Sequence, residues 1–296
     1  MNRYEQQLAS YATQVNDALR ERLHFDRELR QIVVVDAMRH SLLDAGKRLR
    51  AAMVLEFGRL THASREGAMA LACAIEMIHA YSLIHDDLPC MDDDDTRRGR
   101  PSCHRAYGEA TALLAGDALL TAAFETLACA GQSAQAQNVQ AVGVLAAAAG
   151  ARGMVRGQEL DLYYEAVPAG EAQLREVHRN KTGMLMAAAA QLGAIAAGAP
   201  QVQQGALRDF AFSVGLVFQM VDDVLDVVST TQELGKPVGS DAHNGKTTFV
   251  TLHGVEGTRA LAVRTTADAC DALAANFGEA AAFLCAFAQS LISRTM

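Results

Sequence analysis

The chain has no tryptophan, and aromatic residues make up only 5% of its 296 positions. Proline is nearly as scarce, with five in all, whereas alanine occurs 56 times. Alanine has the highest helix propensity and proline the lowest, so this balance predicts an all-α protein. No run of alternating strand-like residues bounded by tight turns is present, which argues against a sheet. Positive charge is also in short supply. A net charge of −8 excludes the broad basic surface that nucleic-acid binding needs. The six cysteines lack any CxxC spacing, so a zinc site is not expected, and reduced thiols fit a cytoplasmic location. The opening MNRYEQQLAS has no apolar stretch and does not read as a signal peptide. There is no P-loop and no GxGxxG, so a nucleotide-binding fold is excluded.

Half the residues are hydrophobic, ample for one large core. No linker rich in Pro, Gly or Ser divides the chain, so residues 1–296 are expected to form a single domain of roughly ten or more helices. Two uncharged stretches, 126–151 and 184–200, invite a membrane reading. The first is interrupted by Gln, Asn, Ser and Gly, and the second falls short of the roughly 20 apolar residues a span requires. No stable membrane span is expected.

Chemistry concentrates in two acidic clusters. In YSLIHDDLPCMDDDDTRRGRPSCH an apolar helical pattern runs into Asp86 and Asp87, then Asp92 to Asp95, then Arg97, Arg98 and Arg100. In FSVGLVFQMVDDVLDV an uncharged stretch leads into Asp222, Asp223 and Asp226. An acidic run by itself usually means a solvated loop. Two runs that each cap an apolar helix need a counter-charge, which a hard divalent cation supplies. Carboxylates without cysteine and with few histidines suggest Mg²⁺ bound together with phosphate oxygens. Phosphate in turn accounts for the basic residues Lys47, Arg48 and Arg50 in AGKRLR and for Lys236 and Lys246 after the second cluster.

These motifs, together with GQELDL, KTG and the LGKPVGSD…GKTT segment, resemble the short-chain trans-isoprenyl diphosphate synthases, in particular the bacterial farnesyl diphosphate synthases. The resemblance covers about residues 40 to 250 and implies a ring of helices around a central apolar cavity. The activity implied is condensation of isopentenyl diphosphate with the allylic dimethylallyl and geranyl diphosphates to give farnesyl diphosphate. It also implies Mg²⁺, three ions per active site, and a homodimer. Geranylgeranyl diphosphate synthesis is the nearest alternative, and a non-catalytic synthase subunit a more distant one. A terpene cyclase would share a DDxxD motif but has no need of a second diphosphate pocket at Lys47 and Arg50.

Carried over by motif, Asp86, Asp87, Asp92 and Asp222 would hold the metal, with Asp223 and Asp226 acting through water. Arg97, Lys181, Lys236 and Lys246 would contact the allylic diphosphate, and Thr182 and Gln219 would line the path of the cation. Lys47, Arg50, His79 and Arg98 would bind isopentenyl diphosphate. Tyr81, with Ser82 beside it, would limit product length, and Gln158 and Asp161 would support the site. The bland readings are a solvated helix face for Lys47 and Arg50, a structural role for His79, and a capping or packing role for Gln158 and Asp161. His85 and His104 carry no assignment. Ala45, Ala51 and Phe249-Val250 depart from the family pattern and bear on local backbone geometry.

Overall fold

A computed structural model describes residues 3–23, 32–43, 46–130, 135–228 and 246–293. Lys236 and Ala45 lie outside them. The described residues are almost wholly helical, as the alanine-rich, proline-poor composition predicts. The helices are α1 (Arg3–Arg22), α2 (Val33–Leu42), α3 (Leu49–Leu60), α4 (Arg65–Asp86), α5 (Cys103–Tyr107), α6 (Glu109–Ala128) and α7 (Gln135–Ala149). They continue with α8 (Met154–Ala166), α9 (Glu171–His178), α10 (Met184–Ala196), α11 (Gln201–Val228), α12 (Phe249–Phe277) and α13 (Ala282–Ile292).

The core is built around α10. It packs on α3, α4, α7 and α11, and every residue from Leu185 to Ile195 except Gln191 is buried. Small side chains make this closeness possible. A Cβ on Gly193 would lie 2.5 Å from the Val54 carbonyl oxygen, so α3 and α10 meet backbone to backbone. Helix α4 starts at a Ser64 cap, whose hydroxyl accepts from the Gly67 amide at 3.2 Å. It packs between α3 and α6 and delivers its C-terminal turn to the site.

Two local features depart from the sequence reading. Residues 96–101 form a small antiparallel hairpin that pairs Thr96 with Pro101 and Arg97 with Arg100. Both turn residues, Arg98 and Gly99, have positive φ (55° and 73°), the backbone of a type I′ turn. Two-residue strands are too short to show alternation. Further along, α12 is broken at Gly254, where φ is 68°.

Three helical runs, Arg65–Asp86, Glu109–Ala128 and Phe249–Ile292, are long and apolar enough to cross a membrane by length and composition. They are not the two stretches singled out by charge alone. In the first, 78% of the apolar window is buried inside the protein, so its apolarity is spent on the core.

Candidate active site

The C-terminal turn of α4 and the acidic part of α11 face one cavity of about 650 Å³, lined by Tyr81, Ser82, Asp86, Lys181, Thr182 and Asp222 among others. The first aspartate of each acidic motif therefore opens onto the same space. Burial, together with the neighbouring Asp92, pushes the Asp86 carboxyl up to about 6, although Lys181 pulls the other way. The positive charge of Lys181 and Arg97 does not offset that burial. Asp92 is exposed, and its amide donates to the Asp86 carbonyl at 2.9 Å, which folds the loop back over the end of the helix.

The second aspartate of each pair turns elsewhere, because successive helical residues point about 100° apart. Asp87 is buried and accepts from Arg97 Nε at 2.7 and 2.9 Å. It lines a smaller recess of about 210 Å³ shared with Arg97 and Arg98 instead of the main cavity. In this structure its carboxylate anchors the hairpin arginine. Asp223 is also buried and accepts from the Phe249 amide at 2.7 Å, adding to the Thr248 cap at the start of α12. Asp226 is buried one turn further on.

The donor set suits a hard cation. Among the described residues no three metal-binding side chains converge closely enough to hold one unaided. Asp86 and Asp222 instead face a shared space in which a ligand's own phosphate oxygens would complete the coordination, as is usual for Mg²⁺.

Basic groups close the same end. Asp161 on α8 accepts from Lys181 Nζ at 2.7 Å and pairs with Lys246 Nζ at 2.8 Å. Burial alone would raise the Asp161 carboxyl, but the two ammonium groups outweigh it and hold it below the usual range. Asp161 is thus a single carboxylate that spaces two lysines. Lys181 and Thr182 sit in a π-helical turn, Arg179–Gly183, and the Thr182 hydroxyl donates to Gln219 Oε1 on α11.

That turn is pressed against α8 at Gly157, where a Cβ would fall 2.0 Å from the Lys181 amide nitrogen. Gly157→Ala must push one backbone off the other. Overpacking of this kind costs about 1–3 kcal/mol, so thermal unfolding should fall by several degrees and turnover should drop as Lys181 moves. An unchanged melting temperature would show that the two backbones can part freely.

A second cavity, of about 630 Å³, adjoins the first and is lined by Gly46, Lys47, Arg50, His79, Arg98 and Phe218 among others. Arg50, His79, Arg98 and Phe218 line both. Arg50 Nη1 lies 3.3 Å from His79 Nε2, and burial followed by the Arg50 charge holds His79 well below its ordinary value. His79 is therefore neutral and accepts at Nε2. Arg50 Nε is buried with no hydrogen-bond partner, a donor left for an anion. Of the sequence-expected residues, Lys47 lines the second cavity and Asp86, Lys181, Thr182 and Asp222 the first, while Arg50, His79 and Arg98 stand in the wall between them. Phe218 in that wall was not foreseen, since an apolar residue in an apolar run carries no signal.

The polyprenyl synthetase family model matches residues 32–276. Geranylgeranyl pyrophosphate synthase 9 of Arabidopsis thaliana is 46% identical over 79% of this chain and 66% of its own length. The Catharanthus roseus geranylgeranyl pyrophosphate synthase is 42% identical over 96% of this chain and 79% of its own. Among solved structures, an FPP/GFPP synthase from Zymomonas mobilis superposes with a TM-score of 0.87 at 33% identity, covering 98% of each chain. A Helicobacter pylori geranyltransferase complexed with magnesium and isoprenyl diphosphate gives a TM-score of 0.87 at 31% identity, covering 99% of each.

Proposed function

We propose, from the premise that the chain belongs to the polyprenyl synthetase family of prenyltransferases, that it condenses isopentenyl diphosphate with allylic diphosphates. The observation that carries the proposal is the pair of adjoining cavities, one acidic at its rim and one basic, with a common wall. The acidic cavity takes the allylic substrate. Mg²⁺, when bound there, offsets the charge gathering on the departing diphosphate. Asp86, Asp92 and Asp222 are its proposed protein ligands, with Asp87, paired to Arg97, the fourth carried over by motif, and three ions per site is part of the same proposal.

Lys181, Lys246 and Arg97 add positive charge on the leaving-group side. Lys236 belongs with them by motif. As the allylic C–O bond breaks, its electron pair leaves with the diphosphate and positive charge grows on the allyl carbons. The Gln219–Thr182 pair and the apolar wall keep water from that cation. The isopentenyl double bond, presented from across Phe218, then forms the new C–C bond, and the proton lost in restoring a double bond leaves with the released pyrophosphate. Lys47, Arg50, Arg98 and neutral His79 hold a diphosphate that never departs, which is why that pocket needs donors and no metal.

Lys47→Ala and Arg50→Ala should accordingly raise the Michaelis constant for isopentenyl diphosphate and leave that of the allylic substrate near its original value, the signature of lost uniform binding. Equal rises for both substrates would merge the two pockets into one.

The product proposed is the twenty-carbon geranylgeranyl diphosphate, supported by identities of 42–46% to synthases of that name. One observation favours the fifteen-carbon farnesyl diphosphate instead, namely the buried Tyr81 ring in the cavity wall. Chromatography of the products formed from labelled isopentenyl diphosphate and each allylic starter separates the two. A homodimer is also proposed, supported by exposed Leu113 and Leu114 on α6, and sedimentation tests it. A cytoplasmic location remains part of the proposal and is tested by cell fractionation.

A further inference from the structure

Between Lys47 and Arg50 lies an arginine that does not extend into solvent. Arg48 is only 4% exposed and has the left-handed backbone φ 51°, ψ 41°, uncommon for any residue but glycine. Its guanidinium spans three other helices or their ends. Nε donates to Asn16 Oδ1 on α1 at 2.9 Å, Nη1 to Glu76 Oε2 on α4 at 3.2 Å, and Nη2 to the Leu42 carbonyl at the end of α2. Glu76, 3% exposed, accepts at its other oxygen from the Ala51 amide at 3.1 Å. That amide is one of the unpaired donors of the first turn of α3, so a carboxylate from α4 caps the helix that carries Arg50. Glu76 also lies three residues before His79 on the same helix, and its charge is the largest negative influence on both Arg50 and Arg98.

We infer that Arg48 and Glu76 form a positioning pair for the isopentenyl diphosphate pocket, fixing the start of α3 against α4 so that Lys47, Arg50 and His79 converge on one anion. The inference rests on the pocket assignment made above. Neither member needs to touch the substrate. The pair is buried, and breaking a buried ion pair by removing one partner is strongly destabilising, so a purely structural role is the rival explanation.

Electrostatics and positioning make opposite predictions at Glu76, which allows the two to be told apart. Glu76→Gln keeps an acceptor for the Ala51 amide but removes a negative charge beside three arginines. If charge alone mattered, the pocket would become more positive and bind diphosphate more tightly. If Glu76 positions the pocket, the Michaelis constant for isopentenyl diphosphate should rise roughly ten- to hundredfold, with kcat and the allylic constant within about twofold. The double variant Arg48→Met/Glu76→Gln leaves net charge unchanged and places no lone charge in the core. It should show the same split, and it serves if the single variant fails to fold.

Steady-state kinetics on wild type and both variants, with thermal unfolding followed in parallel, tests the inference. A wild type that consumes no isopentenyl diphosphate would overturn the functional reading itself. A selective rise in the isopentenyl constant supports the positioning pair. An unchanged or lower constant in the folded variants, or an equal rise for both substrates, would overturn it, whatever the melting temperature does.

Discussion

Replacing Asp86 by alanine is expected to cut turnover about a thousandfold and to leave the helical circular dichroism in place, the equivalent of about 4 kcal/mol of lost transition-state stabilisation. The carboxylate stands at the end of α4, partly buried and raised to about 6 by desolvation, and lines the same cavity as Asp222. A cation held by this carboxylate would relieve that unfavourable desolvation, so binding and catalysis draw on the same group. Asp222→Ala should behave alike, because its side chain completes the opposite wall. Asp87→Ala should differ in kind. Its partner is Arg97, and its loss should loosen the hairpin and lower thermal stability along with turnover. Near wild-type turnover in Asp86→Ala would remove the acidic cavity from the mechanism.

The second large effect expected is on product identity. Tyr81→Ala should lengthen the principal product by at least one five-carbon unit relative to wild type. The ring is 7% exposed, lines the cavity that holds Asp86, and packs edge-on against His85 with centroids 5.7 Å apart. His85 is itself held, since its Nε2 lies 3.1 Å from the Leu113 carbonyl on α6. Space for that imidazole exists only because residue 116 is glycine, where a Cβ would stand 2.1 Å from Nε2. Tyr81 is thus a braced wall and not a side chain free to swing aside. Removing it opens room for another isoprene unit, and roughly 0.8 kcal/mol for each CH₂ buried favours filling that space. An unchanged product by chromatography would place the limit elsewhere on the cavity wall.

The helical class and the two acidic clusters were legible in the sequence because composition and runs of like charge are local signals. A helical wheel also shows that Asp86 and Asp87 cannot share a direction. Which of them faces the cavity depends on where α3, α6 and α11 lie, and no local pattern states that. The two pockets were legible through motif resemblance, whereas their common wall was not, since Phe218 lies within an uncharged run and Glu76 within an alanine-rich helix. The spacing of AGKRLR marks Lys47 and Arg50 as a basic face and makes Arg48 look like part of it. Only burial against Glu76 sets Arg48 apart. Similarly, GQELDL shows a glycine without showing that the Lys181 backbone lies against it.

The most direct measurement is the release of pyrophosphate by the purified protein from geranyl diphosphate, with and without isopentenyl diphosphate, in Mg²⁺ and again in excess chelator. Two adjoining cavities of distinct character predict one pyrophosphate released for each isopentenyl diphosphate consumed, only when both substrates and Mg²⁺ are present. Release from geranyl diphosphate alone at an equal rate, or no release under any of these conditions, would contradict the assignment of the two cavities to prenyl transfer.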